Sequence, residues 1–165
     1  MNIKRIAQHL LMTDWQAKRC FPPATLAAIE QAIAASEALH AGEIRFVVEP
    51  ALDGAPLFKE QSTKARALDV FSHLRIWDTE QNNGLLIYVL LAEHAVEIVA
   101  DRGISARVEP HDWQIICRAM ERDFKQGNFK AGVMAGITSA TQHLTKHFPA
   151  AARTDNELSN APLML

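Results

Sequence analysis

The apolar positions of this chain change period along its length, and those changes mark the elements. Leu85–Leu91 offers apolar residues to both faces, which predicts a central strand covered on both sides. A short polar interruption at Ala92–Ala95 precedes a second β-rich run, Val96–Ala100. Asn82-Asn83-Gly84 turns the chain in and Asp101-Arg102-Gly103 turns it out, so the pair predicts a β-hairpin around which the rest is organised. A hairpin brings its ends together, and Asp78 to Asn83 and Asp101-Arg102 are therefore predicted neighbours.

Upstream, Ile3, Ile6, Leu10 and Leu11 recur at helical spacing and predict a short amphipathic helix ending near Thr13-Asp14. Trp15 to Phe21 reads as a connector. Pro22-Pro23 opens a helix running to about Leu39, with Leu26, Ile29 and Ile33 as its stripe. Extending that stripe by four and then three residues places Glu37 and His40 on the burying face. After Gly42, Glu43–Glu49 alternates, with Ile44, Phe46 and Val48 on one face and Glu43, Arg45, Val47 and Glu49 on the other. A third helix is predicted over Phe58–Leu74, turning Ala67, Leu68, Val70, Phe71 and Leu74 inward and Arg66, Asp69 and His73 outward.

Downstream of the hairpin, Pro110 starts a helix whose face is Trp113, Ile116, Cys117, Met120 and Phe124. Gly127-Asn128 breaks it, and Phe129–His147 follows with the stripe Phe129, Val133, Ile137, Ala140 and Leu144. Gly132 and Gly136, four apart, permit close approach of a neighbour. Residues 150–165 show no period and read as a flexible or surface-draped tail. The order predicts an α/β protein, a three-layer α/β/α sandwich around a small mixed sheet of about four strands. Residues 1–149 form one domain in this reading, with an extra N-terminal helix.

Composition narrows the function classes. Hydrophobic residues make up 48% and charged residues 22%, ordinary for a globular protein of 165 residues. The net charge of −2 gives no electrostatic footprint for nucleic acid or an anionic membrane. The longest apolar run, Leu85–Ala92, is far short of the roughly 20 residues that span a bilayer, so no direct membrane insertion is expected. The N-terminus lacks the pattern of an export signal. Cys20 and Cys117 form no pairing framework and read as free thiols in a reducing cytoplasm.

Four stretches together carry a family resemblance: SEALHAGEIRFVVE, RIWDTEQNNGLLIYVL, VEIVADRGI and FKQGNFKAGVMAGITSATQHLTKHFP. They resemble the TPM domain, in its short soluble bacterial form, over roughly Ile29 to Pro149. The resemblance implies a mixed four-stranded sheet flanked by helices. It also implies a range of settings. A plant thylakoid member is described as an acid phosphatase involved in photosystem maintenance, some members bind calcium, and most bacterial members have no established activity. Many carry a signal peptide and membrane anchor, which are not expected here. Short bacterial members tend to be encoded near LemA-type membrane proteins, which implies a protein partner of that kind.

The residues themselves supply candidate chemistry at strand ends, where ligands collect in open α/β sheets. Glu43, Asp78 and Asp101 are candidate ligands for calcium or magnesium, hard cations that take oxygen donors. Glu37, His40, Glu43, Asn82 and Asn83 are candidate binding residues. If the chain is a hydrolase, Asp78, Asp101, Arg102 and Arg45 are the catalytic candidates, with the metal activating water and an arginine stabilising phosphate charge. The bland alternative makes Asp78, Asn82 and Asp101 turn-formers and Glu43–Arg45 a surface ion pair. His143 and His147 have the spacing of two zinc ligands, but Leu144 stands where a zincin helix carries its glutamate. No Cys-x5-Arg loop, Arg-His-Gly motif, phosphate loop or G-x-S-x-G elbow is present. The sequence thus favours an ion- or partner-binding module without chemistry of its own over a metal-assisted phosphatase.

Overall fold

The computed structural model describes residues 2–152 and 155–165. Its centre is a four-stranded mixed sheet of β1 (Glu43–Glu49), β2 (Gly84–Leu90), β3 (Ala95–Ala100) and β4 (Leu163–Met164), lying in the order β3-β2-β1-β4. β1 runs parallel to β2, with Glu43 opposite Gly84 and Glu49 opposite Leu90. β2 and β3 are the expected hairpin, antiparallel with Leu85 opposite Ala100, and a left-handed His94 (φ 49°) closes its turn.

The two-residue period of the strands divides the core into two layers. Ile44, Phe46, Val48, Leu85, Ile87 and Val89 face one way. They meet residues of α2 (Asp14–Cys20), α3 (Pro23–Glu37), α7 (Pro110–Lys125) and α8 (Phe129–His147). Val47, Leu86, Tyr88 and Leu90 face the other way, against Ala67, Val70 and Phe71 of α5 (Thr63–His73) and Leu57 of α4 (Gly54–Phe58). The expected α/β/α sandwich is therefore formed, with α1 (Ile3–Leu11) and α6 (Arg102–Ser105) beside it. Gly136 lets α7 and α8 close together, since a Cβ there would lie 2.4 Å from Met120 Sδ.

Side chains take up backbone groups at the ends of edge strand β3, and on the far side the short β4 pairs with β1 as the other edge. On β3, Val96 N–H donates to Glu121 Oε1 (3.1 Å) and Ser105 Oγ–H donates to the Ala100 carbonyl (3.0 Å). On β1, β4 pairs Leu163 with Val47 and Met164 with Val48, and Leu165 N–H donates to the Val48 carbonyl (2.9 Å). The segment expected as a flexible tail thus ends in a strand. Within it, Arg153 and Thr154 lie outside the described residues, as does Met1.

Three other expectations change. Trp15 to Phe21 is largely helical, started by a capping box in which Thr13 Oγ1 accepts Gln16 N–H and the Gln16 side chain accepts Thr13 N–H. Only Ala17 of that helix is buried, so it shows no apolar period. The helix predicted over Phe58–Leu74 starts later, at Thr63, because Glu60 turns left-handed (φ 55°) and Ser62 caps the start, and the short α4 occupies Gly54–Phe58 ahead of it. Leu68 stays 47% exposed, about 100° round the helix from Ala67, while Arg66 turns inward. Finally, α1 turns only Ile6 of its stripe toward the core: Ile3, Leu10 and Leu11 face solvent, while His9 is buried.

Candidate functional site

The amino ends of β1 and β2 and the carboxyl end of β3 gather most of the sequence-predicted residues. Glu43 N–H donates to the Asn83 carbonyl (3.0 Å) and Asp101 N–H to the Gly84 carbonyl (2.9 Å). Arg102 Nε donates to Asn82 Oδ1 (3.0 Å), so the two brackets of the hairpin are neighbours. Glu37 and His40 lie buried beneath, as their stripe position requires. Asp78 does not join them. It sits exposed on the preceding turn, where its backbone N–H donates to the Arg75 carbonyl (2.9 Å).

At this end the polar groups serve the chain itself. Glu37 Oε1 accepts Ile44 N–H (2.8 Å) and fixes the start of β1, Asn83 Nδ2 donates to the Ala41 carbonyl (2.5 Å), and Asp101 Oδ1 accepts Arg102 N–H (2.7 Å). Glu43 Oε2 accepts Leu158 N–H (3.2 Å), and Arg45 donates to the carbonyls of Ser159 and Ala161. Both therefore fasten the C-terminal segment, and burial pulls the Arg45 guanidinium below its ordinary pKa. Asn83 Oδ1 and Asp101 Oδ2 are buried with no hydrogen-bond partner. Calcium takes about six to eight oxygens. Among the described residues no three His, Cys, Asp or Glu side chains are placed to hold a metal ion. Asp78 lies apart from Glu43 and Asp101, so these three carboxylates do not form one cluster.

The opposite end of β1 carries two networks that the sequence reading missed. Arg66 donates from Nε and Nη2 to both Glu49 oxygens (2.9 and 2.8 Å), and Tyr88 Oη–H donates to Glu49 Oε2 (2.5 Å). Burial, then the bond to Glu49, raise the Tyr88 hydroxyl far above its ordinary pKa. Nearby, Glu93 Oε1 accepts from Arg5 Nε (2.7 Å) and His9 Nε2 (2.8 Å), while His9 Nδ1 accepts Leu52 N–H (2.9 Å). A cavity of about 400 Å³ lies here, lined by His9, Asp14, Glu49, Asp53, Phe58 and Leu165 among others. Carboxyl ends of parallel strands are where ligands gather in open sheets. Yet both oxygens of Glu49 and both nitrogens of His9 are engaged, which locks these groups as structure.

A groove of about 740 Å³ lies between α3 and α8, framed by Ala32, Ala35 and Leu39 across from Met134, Ile137 and Thr138. A polar seam crosses its floor. Ser36 Oγ lies 2.7 Å from His40 Nε2 and 2.6 Å from Thr141 Oγ1, and Thr141 Oγ–H donates to the Ile137 carbonyl (2.7 Å). Ser36 thus joins α3 to Thr141 of α8 with His40 held beside it. The pair is a structural bridge between two helices.

A sequence model of the TPM domain matches residues 16–143. The chain belongs to the TPM domain family. This TPM domain is similar to BA42, a protein of the psychrophilic bacterium Bizionia argentinensis whose structure was determined by NMR. Identity is 34%, the TM-score is 0.75, and the likeness covers 86% of this chain and 93% of BA42. The N-terminal domain of a P. gingivalis protein shares the fold at 23% identity and a TM-score of 0.61, over 78% of this chain and 80% of that one. No protein of curated function matches. The matched residues begin after α1 and end before β4. Among the described residues of this TPM domain, no helix is long and apolar enough to cross a membrane.

Proposed function

We propose that this TPM domain is a non-catalytic binding module whose docking surface is the α3–α8 groove and whose partner presents an amphipathic helix. The observation that carries this reading is the open apolar groove itself, next to a sheet end where Glu37, Asn83 and Asp101 each bond the chain's own backbone. Small residues at Ala32, Ala35 and Ser36 let a third helix approach closely. The α8 wall from Met134 to Lys146 runs roughly 18 Å at about 1.5 Å per residue, room for about three turns. Lys146 carries the one charge among the lining residues, which favours an acidic residue at that end of the partner helix.

Family resemblance makes a LemA-type membrane protein the first partner to test. Titration of its water-soluble part should give saturable binding that Ala35→Glu weakens roughly tenfold or more, because the variant buries an unpaired charge. Unchanged binding in Ala35→Glu would remove the groove from the account. The phosphatase alternative makes an opposite forecast: release of phosphate from a simple phosphate ester, dependent on calcium or magnesium and lost in Asp101→Ala.

A further inference from the structure

The N-terminal helix pair presents an apolar ridge that the body does not cover. In α1, Ile3, Ala7, Leu10 and Leu11 recur at i, i+4, i+7 and i+8, the spacing of a buried stripe. Yet Ile3, Leu10 and Leu11 are 76%, 71% and 72% exposed. The side turned to the body is polar instead, holding Arg5 and His9 on Glu93. Met12 and Thr13 alone separate α1 from α2, where Trp15 is 67% exposed. Lys18 and Arg19 share that exposed side, opposite buried Ala17, with the Arg19 guanidinium 5.5 Å from the Trp15 ring centre.

Charge on this pole differs from that of the whole chain. Residues 1–20 contain Lys4, Arg5, Lys18 and Arg19 against Asp14, while the chain carries −2. Of the carboxylates beside α1, Glu93 is engaged by Arg5 and His9 and Glu60 by Asn2 N–H (2.8 Å), while Asp14 and Asp53 line the cavity that Leu10 borders. Lys4, Lys18 and Arg19 remain exposed around the ridge.

We propose that this face docks peripherally on an anionic lipid surface, with α1 and α2 lying in the headgroup plane. An exposed aliphatic stripe suits the acyl boundary, an exposed tryptophan suits the interface, and lysine and arginine beside them meet anionic headgroups. A two-fold contact between copies through the same ridge would bring two copies of the pole that carries Lys4, Lys18 and Arg19 together. The ridge lies outside the α3–α8 groove, so the two readings stand or fall separately.

The test is co-sedimentation of the full chain with vesicles of phosphatidylcholine alone and of phosphatidylcholine mixed with phosphatidylglycerol. Binding should be roughly tenfold or more tighter to the mixed vesicles and should weaken with salt. A Leu10→Ser, Leu11→Ser variant and a Lys4→Glu, Lys18→Glu variant, both melting like wild type, should each lose it. Binding to neither vesicle, or unchanged binding in the Leu10/Leu11 variant, would overturn the proposal. So would a dimer that the Leu10/Leu11 variant dissolves without vesicle binding, or saturable capture by an acidic protein in its place.

Discussion

Glu93→Ala should release α1 while leaving the sheet intact. Glu93 accepts from Arg5 (2.7 Å), His9 (2.8 Å) and Thr63 (3.2 Å), and its side chain is only 22% exposed. Removing one partner of such a buried group costs about 3–5 kcal/mol, and partial exposure argues for the lower end, about 3 kcal/mol. Apolar contact offers little compensation, since Ile6 is the α1 residue packed, half-buried, on the core. About 3 kcal/mol corresponds to roughly a hundredfold shift in the docking equilibrium.

Amide hydrogen exchange reads this directly. Protection over Ile6–Leu11 should fall roughly a hundredfold, while protection in β2 stays at the wild-type level. Wild-type protection of α1 in the variant would refute the reasoning, and so would parallel loss in β2, which would make α1 part of the global unit. The pH dependence follows the same carboxylate. Burial acts to raise the Glu93 pKa, but hydrogen bonds from His9 and Arg5 outweigh it and hold the group below its ordinary 4.5. A depressed folded value means the contribution is present above 4.5 and is lost as pH falls through the lower folded value. Docking of α1 should therefore survive down to the ordinary glutamate value and fail only in more acid solution.

Three further outcomes follow from the core. Gly84→Ala should cost about 3 kcal/mol and lower Tm by roughly 6–12 °C, because its Cβ would stand 2.1 Å from the Ile76 carbonyl oxygen; a shift within a degree would contradict the packing described. Tyr88 is the sole tyrosine, so an alkaline absorbance titration reads it alone. Its phenolate should not appear through the ordinary range around 10.0, and stability should fall above that value as the unfolded chain ionises first. Burial pushes the Cys117 thiol up to about 12 and raises the half-buried Cys20 as well, so alkylation at neutral pH should be slow at both and slower at Cys117; rapid modification of Cys117 would contradict its burial.

Elements with several turns of consistent pattern were legible from residues alone. β1 spans Glu43–Glu49 and the last helix Phe129–His147, as the alternation and the stripe indicate. Short elements were not, since α2 buries a single alanine and β4 pairs two residues, too few to show a period. The orientation of α1 illustrates a deeper limit. Period identifies an apolar face, but the Glu93 network decides which face turns inward. Hairpin geometry brought Asn82 and Arg102 together, whereas Glu43 and Arg45 were claimed by a C-terminal segment more than a hundred residues away. The Glu49–Arg66–Tyr88 network joins three elements, and the α3–α8 groove exists because two helix faces are left open; neither has a local signature.

The central claim is that this TPM domain works through the α3–α8 groove and not through the sheet end. Titration calorimetry with the water-soluble part of a LemA-type protein, run on wild type, Ala35→Glu and Asp101→Ala, compares the two surfaces in one measurement. The account predicts saturable binding that Ala35→Glu weakens and Asp101→Ala leaves unchanged. Binding lost in Asp101→Ala but kept in Ala35→Glu, or no binding at all, would contradict it.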